Sequence, residues 1–225
     1  MTSLSTAAPE ALPAPPEAST LCRIRDVFAD DRQAFDGWLH TFDDAERALS
    51  VARRSYWHPN GFAKLVLQAG QGHKVRLHVW PAGTHRLGES NPHGHRWNFA
   101  STILCGDGLR DVHYSESDAG VKYERYQYVG GNVAGACTCV GAVRLVESET
   151  HDRRAGDRYA LDTSVVHTVR PLGTALIATL VVQGAPILKN APVYGIPGVN
   201  VDDPGRAITA DEVRELVQGV LSVQR

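Results

Sequence analysis

The spacing of apolar side chains divides the chain into a helical beginning, a long β-type middle and a helical end. Between residues 30 and 54, apolar side chains recur at intervals of three and four residues, which is the period of an amphipathic helix. They are Phe35, Trp38, Leu39, Phe42, Ala45, Leu49 and Ala52. Thr41 followed by Asp43 and Asp44 is a helix-start signal, so the pattern predicts a break near Thr41.

From about residue 61 to residue 186, the pattern changes to short runs of β-branched and aromatic residues separated by Gly and Asp. The runs predicted as strands cover residues 62–68, 74–80, 97–104, 109–114, 122–129, 138–147, 157–160, 167–170 and 175–183. Short strands at roughly ten-residue spacing, with no helical period between them, predict an all-β sandwich or barrel.

The two ends of the chain differ from this middle part. Residues 1–19 are rich in Pro, Ala and Ser, which predicts a disordered tail ahead of a helical segment over residues 20–55. The barrel is assigned to residues 56–186. Residues 187–225 are predicted to form a wrapping loop and a C-terminal helix over residues 210–223. Thr209 and Glu212 form a capping box there, and the apolar stripe is Val213, Leu216, Val217, Val220 and Leu221.

Composition narrows the classes of function. The 225-residue chain has a formal net charge of −2, so it lacks the basic field that favours nucleic acid. No apolar run reaches the length needed to span a membrane, and the N-terminus has neither the basic nor the apolar region of a secretory signal. We therefore expect a cytoplasmic protein with no nucleic acid and no membrane as partner.

The stretch "NPHGHRWNFAS" contains the strongest candidate chemistry. Residues two apart in a strand point to the same side, so His93 and His95 would face one way, followed on that face by Trp97 and Phe99. Imidazole is a favoured ligand of Fe, Zn, Cu and Ni. A third imidazole is available from His167, on a later predicted strand. The pattern favours a metal site at the mouth of an apolar interior, where Trp97 and Phe99 line the substrate pocket.

His93-x-His95 and Gly106, followed by Gly156-Asp157 and His167, resemble the two-motif signature of the cupin superfamily. The resemblance implies a double-stranded β-helix barrel that binds one metal through the H-x-H pair and the later histidine. The glutamate ligand that cupins usually place four residues after the second histidine is replaced here by Phe99. The resemblance therefore implies a three-histidine site.

Within the cupins, three-histidine iron sites are typical of thiol dioxygenases, and the chain is similar to cysteine dioxygenase before the motif. The similar stretches are Tyr56-Trp57-His58, the Trp80-Pro81-Ala82-Gly83 turn and His93-Gly94-His95. His58 stands where that family has a substrate-binding arginine. Thr179, Val181 and Gln183 stand where it has Ser, His and Tyr. The resemblance thus implies Fe(II) and O₂, with a small substrate other than cysteine.

Further residues are candidates for the pocket. Arg76 and His78 alternate with Val75, Leu77 and Val79 on one predicted strand. If the polar set faces the interior, Arg76 and His78 bind a substrate carboxylate; if the apolar set does, they form a solvated face. The candidate catalytic residues are His58, His85 and Tyr159. For His85 the alternatives are a proton relay and a solvent-exposed loop histidine.

Three functions compete at this point. The first is a mononuclear non-haem iron oxygenase that acts on a small anionic substrate with O₂ as co-substrate. The second is a metal-dependent lyase, isomerase or hydrolase in which Zn, Ni or Mn acts as a Lewis acid. The third is a non-catalytic protein that binds a small ligand. Pairing of edge strands would also make the protein a homodimer.

Overall fold

Three helices precede the strands. The computed structural model describes residues 17–70, 72–83, 91–130, 136–197 and 205–223. The helices are α1 (Ala18–Asp30), α2 (Arg32–His40) and α3 (Ala45–Ala52), with a 3₁₀ turn at Thr41–Asp43. The predicted break near Thr41 is therefore confirmed. Helix α1 begins inside the predicted tail, and residues 1–16 lie outside the described residues.

The strands and the last helix follow in chain order. The strands are β1 (Tyr56–Trp57), β2 (Ala63–Ala69), β3 (His73–Trp80), β4 (Phe99–Cys105), β5 (Leu109–Tyr128), β6 (Cys137–Arg153), β7 (Arg158–Leu161), β8 (Val166–Pro171), β9 (Ile177–Gly184), β10 (Ala191–Gly195) and β11 (Arg206–Ala207), and the last helix is α4 (Ala210–Val223). The predicted capping box of α4 is present. Thr209 N donates to Glu212 Oε2 at 2.8 Å, and Glu212 N donates to Thr209 Oγ1 at 3.2 Å.

The strands form two antiparallel sheets whose order interleaves early and late strands. One sheet has the order β11-β1-β2-β3-β9-β4-β7, so β9 lies between β3 and β4. The other has the order β10-β5-β6, and β8 pairs with β5. Interleaved antiparallel strands in two facing sheets define a jelly roll, the architecture of cupins. The prediction of an all-β, cupin-type barrel with helices at both ends is confirmed.

Two strand predictions were wrong in their bounds. The predicted strands 109–114 and 122–129 are one continuous strand, β5, because residues 115–121 between them form a bulge instead of a turn. Glu116 and Val121 both pair with Leu145 there, and Gly120 has a φ of 92° that suits glycine. In addition, β10 lies within the stretch that was predicted to be only a wrapping loop.

The barrel has an apolar outer layer and an apolar floor inside. On β3, Val75, Leu77 and Val79 pack in one cluster with apolar residues of α2, α3 and α4. The opposite face of β3 therefore points into the lumen, which settles the question left open by the sequence. Inside, the floor is formed by Phe62, Trp80, Ile103, Leu109, Val169 and Ile177. Among the described residues, no helix has the length and apolar character needed to cross a membrane.

Candidate metal centre

Three histidine side chains converge at one end of the barrel. The ligand atoms of His93, His95 and His167 all lie within 4.8 Å of one another. The ring centroids are 5.0 Å apart for His93 and His95 and 5.2 Å apart for each of the other two pairs. The nearly equal distances describe a triangle of imidazoles, which is the arrangement of a three-nitrogen metal site.

The segment that carries the first two histidines is not the regular strand expected from the sequence. His93 forms isolated bridges to His167 and Val193, and β4 begins only at Phe99. Pro92 and Gly94 interrupt the strand, and a Cβ at Gly94 would lie 3.0 Å from the Pro192 ring. Backbone hydrogen bonds still fix the segment, since His93 N donates to His167 O at 3.0 Å and His167 N donates to His93 O at 2.9 Å.

The hydrogen bond of His167 and the spacing of the ring nitrogens suit a bound cation. His167 is 4 % exposed, and its Nδ1 donates to Asp111 Oδ1 at 2.8 Å, so the ring nitrogen available to a cation is Nε2, which is directed towards His95. The two Nε2 atoms of His95 and His167 lie 3.0 Å apart. Two ligand nitrogens at right angles, each about 2.1 Å from a cation, would also be about 3.0 Å apart. The donor set therefore fits a divalent metal ion.

Burial keeps the imidazole of His95 neutral, which is the form that binds metals. Burial, followed by the charges of His93 and His167, lowers the pKa of His95 well below its ordinary value. Lys64 and Arg76 act in the same direction from inside the barrel. A cation can consequently bind His95 near neutral pH without displacing a proton from a charged imidazole.

Asp111 is the residue of this centre that the sequence analysis missed. Its side chain is 0 % exposed, and both oxygens are used. Oδ1 accepts from His167, and Oδ2 accepts from Arg153 Nε at 2.9 Å and from His113 Nε2 at 3.2 Å. Burial alone would raise the pKa of Asp111, but the hydrogen bonds and charges of His167 and Arg153 outweigh it and hold this pKa well below its usual value. The only sequence signal was an aspartate two residues after Leu109 in the same strand, and therefore on the same face.

The lumen beside the histidines has a polar wall. Four of its side chains carry a buried atom that makes no hydrogen bond within the described residues: Arg76 Nε, His78 Nε2, Ser101 Oγ and Gln183 Oε1. Their strands are adjacent, because Arg76 and Ser101 both pair with Val181 of β9. Burial lowers the pKa of Arg76 to about 10, so its guanidinium stays positively charged at neutral pH. Such a wall can bind a small polar or anionic molecule.

The structure brings most of the predicted pocket residues to this place. The ring of His95 lies 5.8 Å from Trp97 and 5.1 Å from Phe99, and Arg76 Cζ lies 5.5 Å from the Trp97 ring. The His78 ring lies deeper, 5.1 Å from Phe62.

Of the three predicted catalytic residues, two lie in the described part of the chain, at different places in the barrel. His58 stacks on Phe62 at 4.7 Å, and burial, followed by the charge of Lys64, lowers its pKa well below the ordinary value. Tyr159 lies behind Phe99, with ring centroids 6.1 Å apart, and Arg153 covers its ring at 4.0 Å. His85 lies outside the described residues.

Part of the polar wall was not predicted from the sequence. Lys64 was not considered, although its charge affects His58, His78 and His95. Gln183 was noted only as standing where the resembled family has another residue, and neither Ser101 nor Gln183 was named as a substrate-binding residue. A usable signal was Gln183 itself, because it is a polar side chain near the end of an almost wholly apolar run.

Comparisons with known proteins give similarity to cupin structures at low identity. No family model and no curated protein matches the chain. A cupin domain from Bordetella pertussis Tohama I is 12 % identical, covers 57 % of this chain and 97 % of its own, and has a TM-score of 0.34. Oxalate oxidase in complex with glycolate is 15 % identical, with 60 % and 55 % covered and a TM-score of 0.34.

A third structure, FeII HppE, is 11 % identical, with 54 % of this chain and 49 % of its own covered and a TM-score of 0.31. This chain thus spans about half the length of these two proteins. At these TM-scores the matches carry no argument about activity, and the cupin-type description of the fold follows from the strand order itself.

Proposed function

We propose that this protein is a mononuclear non-haem iron oxygenase that acts on a small anionic organic substrate with O₂ as co-substrate. The observation that carries the proposal is the position of three imidazole ligands directly beside a lumen wall with a buried, positively charged Arg76. No carboxylate is among the three ligands, so a divalent cation would keep its full charge at the site. That charge favours an anionic substrate.

His93, His95 and His167 would hold the iron, and Asp111 would orient His167 through its Nδ1–H. Bound Fe(II) supplies open coordination positions for substrate and O₂ and a change of oxidation state. The remaining chemistry of the site belongs to the side chains of the barrel.

These side chains would bind and shield the substrate. Arg76 would pair with the substrate carboxylate, and Ser101 and Gln183 would complete its hydrogen bonds with their unpaired buried atoms. Trp97 and Phe99, next to His95, would exclude water from the reacting atoms. His78, whose pKa is lowered well below its ordinary value by burial and then by the charge of Lys64, would act as a neutral hydrogen-bond donor or acceptor.

The first test is the metal content of purified full-length protein, of His167→Ala and of the control His40→Ala. His40 is an exposed residue of α2 outside the site. We expect iron bound to the wild type, with about one ion per chain lost in His167→Ala and retained in the control. Protein loaded anaerobically with Fe(II) should then give the electron paramagnetic resonance signal of nitric oxide bound to iron, and His167→Ala should not.

The second step is a screen of small carboxylic acids and thiols for oxygen uptake by the iron-loaded protein. Failure of the loaded wild type to bind nitric oxide would exclude the oxygenase. Zinc, nickel or manganese at one ion per chain that is lost in His167→Ala, with turnover in the absence of oxygen, would support the Lewis-acid lyase, isomerase or hydrolase instead, since the same three histidines also suit those cations. Tight binding of a small molecule by protein that takes up no metal would identify a non-catalytic binding protein.

A further inference from the structure

A second group of metal-ligand side chains lies on the long hairpin of β5 and β6. In the register of this pair, His113 lies opposite Glu149 and Asp111 lies opposite His151. Residues two apart on a strand share a face, so all four side chains project to the same side. We call His113, Glu149 and His151 the outer triad.

The donor atoms of the outer triad converge. They all lie within 4.8 Å of one another. His151 Nε2 is 3.1 Å and His113 Nδ1 is 3.7 Å from the same atom, Glu149 Oε2. The two imidazole rings are 5.1 Å apart. This is a set of two nitrogens and one carboxylate oxygen on two paired strands, a combination that borderline divalent cations prefer.

Asp111 orients this group as it orients the three-histidine site. His113 Nε2 donates to Asp111 Oδ2 at 3.2 Å, and the other ring nitrogen, Nδ1, faces Glu149. A carboxylate that accepts from the far nitrogen of a histidine is the usual support of a metal ligand. The same carboxylate supports His167 through Oδ1, and the rings of His113 and His167 are 6.3 Å apart.

We propose that the outer triad is a second binding site for a divalent transition cation of the zinc type, adjacent to the three-histidine site and linked to it through Asp111. Side-chain exposures of 14 % for His113, 64 % for Glu149 and 41 % for His151 give a cation direct access from solvent. The site does not depend on iron, or on any particular reaction, at the three-histidine centre. Its alternative is a cluster of protonated histidines paired with Glu149, which would need no cation.

The test measures zinc bound to metal-stripped full-length protein by isothermal titration calorimetry, with the bound zinc counted by mass spectrometry after dialysis. Wild type should bind two zinc ions per chain. Glu149→Gln and His151→Asn should each retain one, with at least tenfold weaker binding at the lost site, and His95→Ala should also retain one. His95→Ala combined with His151→Asn should bind none, and the exposed control His40→Asn should still bind two.

One zinc ion per wild-type chain that His95→Ala removes would overturn the second site while leaving the first in place. Two ions that persist in both Glu149→Gln and His151→Asn would also overturn it, because the second ion would then lie elsewhere. Loss of one ion in His151→Asn but not in His95→Ala would support the outer triad and count against the three-histidine site. The two proposals therefore fail independently.

Discussion

Asp111 shows how one buried side chain sets the chemistry of its neighbours. An aspartate with 0 % exposure would ordinarily be unfavourable, but Arg153 supplies the opposite charge at 2.8 Å. The resulting anion fixes the proton of His167 on Nδ1 and frees Nε2 for a metal. Asp111 therefore balances the charge of Arg153 and also determines which ring nitrogen of His167 carries the proton.

Asp111→Asn is expected to weaken metal binding at the three-histidine site by roughly 10–100-fold. An amide would no longer stabilise the Nδ1–H tautomer of His167 with a negative charge, and it would leave Arg153 without its partner. The measurement is a competition titration with a chelator of known affinity, together with a melting curve that shows whether the variant is folded. Asp152→Asn, which removes an exposed pair with Arg110, is the matched control, and equal affinities in the two variants would contradict the role of Asp111.

Arg76→Gln should raise the KM for an anionic substrate by roughly tenfold or more while changing kcat less. The reason is that a buried charge-assisted hydrogen bond contributes about 1.5–3 kcal/mol to binding. Lys74→Gln provides the control, because Lys74 lies two residues earlier on the same face of β3 but is exposed. The kinetics are measured by oxygen uptake with a substrate found in the screen. An unchanged KM in Arg76→Gln would mean that the carboxylate binds elsewhere.

At the level of elements, Glu212 ties α4 to the sheet. Its Oε1 accepts from Arg206 Nη2 of β11 at 2.7 Å and from Trp57 Nε1 of β1 at 3.1 Å, while its Oε2 completes the capping box with Thr209. The hydrogen bond from Arg206, opposed by partial burial, lowers the pKa of Glu212 to about 2. The residue therefore stabilises the fold only while it is ionised.

Glu212→Gln should lower the free energy of unfolding by about 1–2 kcal/mol at pH 7. Because the pKa is lower in the folded state than in the unfolded state, the wild-type advantage is complete above about pH 4.3 and is lost as the pH falls towards 2. Urea unfolding of both proteins at pH 7 and at pH 3 measures this. The exposed Glu215→Gln, on the same helix, should change stability by less than about 0.5 kcal/mol. A difference between wild type and Glu212→Gln that does not shrink at low pH would contradict the ionic link.

The elements that the sequence predicted well are those whose signals are local. Helix α4 has its cap, Thr209 and Glu212, and its apolar stripe within one stretch of chain, and its bounds were predicted to the residue. Strand β5 was cut in two because Gly120 reads as a turn, and only its pairing with β6 shows that it forms a bulge. Strand β10 could not be predicted because its partner, the far half of β5, lies between 63 (Ala191 and Tyr128) and 71 (Gly195 and Glu124) residues earlier in the chain.

The site divides in the same way. His93 and His95 were found because an H-x-H pair is visible in one stretch, and His167 because a second motif resembles a known one. Asp111 was missed, and Ser101 and Gln183 were not named as substrate-binding residues, because their importance depends on which residues the barrel brings opposite each other. For Arg76 the sequence left two faces equally open, and the packing of Val75, Leu77 and Val79 against helices decided between them.

On the scale of the whole molecule, stability and chemistry occupy different layers. The apolar cluster between the helices and the outer face of the sheet contains most of the buried aliphatic side chains. The inner face near the histidines instead contains charged groups and polar atoms that make no hydrogen bond within the described part of the chain. The homodimer remains a prediction. Among the described strands, β6 pairs only with β5, which leaves an edge for a second copy, and light scattering after size-exclusion chromatography would measure the mass.

The neutral histidines of the lumen should make the metal-free protein sensitive to acid. Burial, followed by the charge of Lys64, lowers the pKa values of His78 and His58 in the folded state, and Arg76 faces His78 with a further positive charge. The unfolded chain therefore binds more protons than the folded chain below about pH 6.5, so stability falls as the pH drops from 7 to 5, by up to about 1.4 kcal/mol per pH unit for each histidine.

His78→Gln removes one of these groups, so the slope of unfolding free energy against pH should be smaller in this variant by up to one proton. Urea unfolding of metal-free protein at several pH values between 5 and 8 gives the slopes, and His73→Gln, at the start of the same strand, controls for the loss of a histidine as such. Equal slopes in wild type and His78→Gln would show that His78 is not kept neutral by burial. The polar lumen would then be hydrated enough to protonate, which is the opposite of the dry pocket that oxygen chemistry on an organic substrate requires.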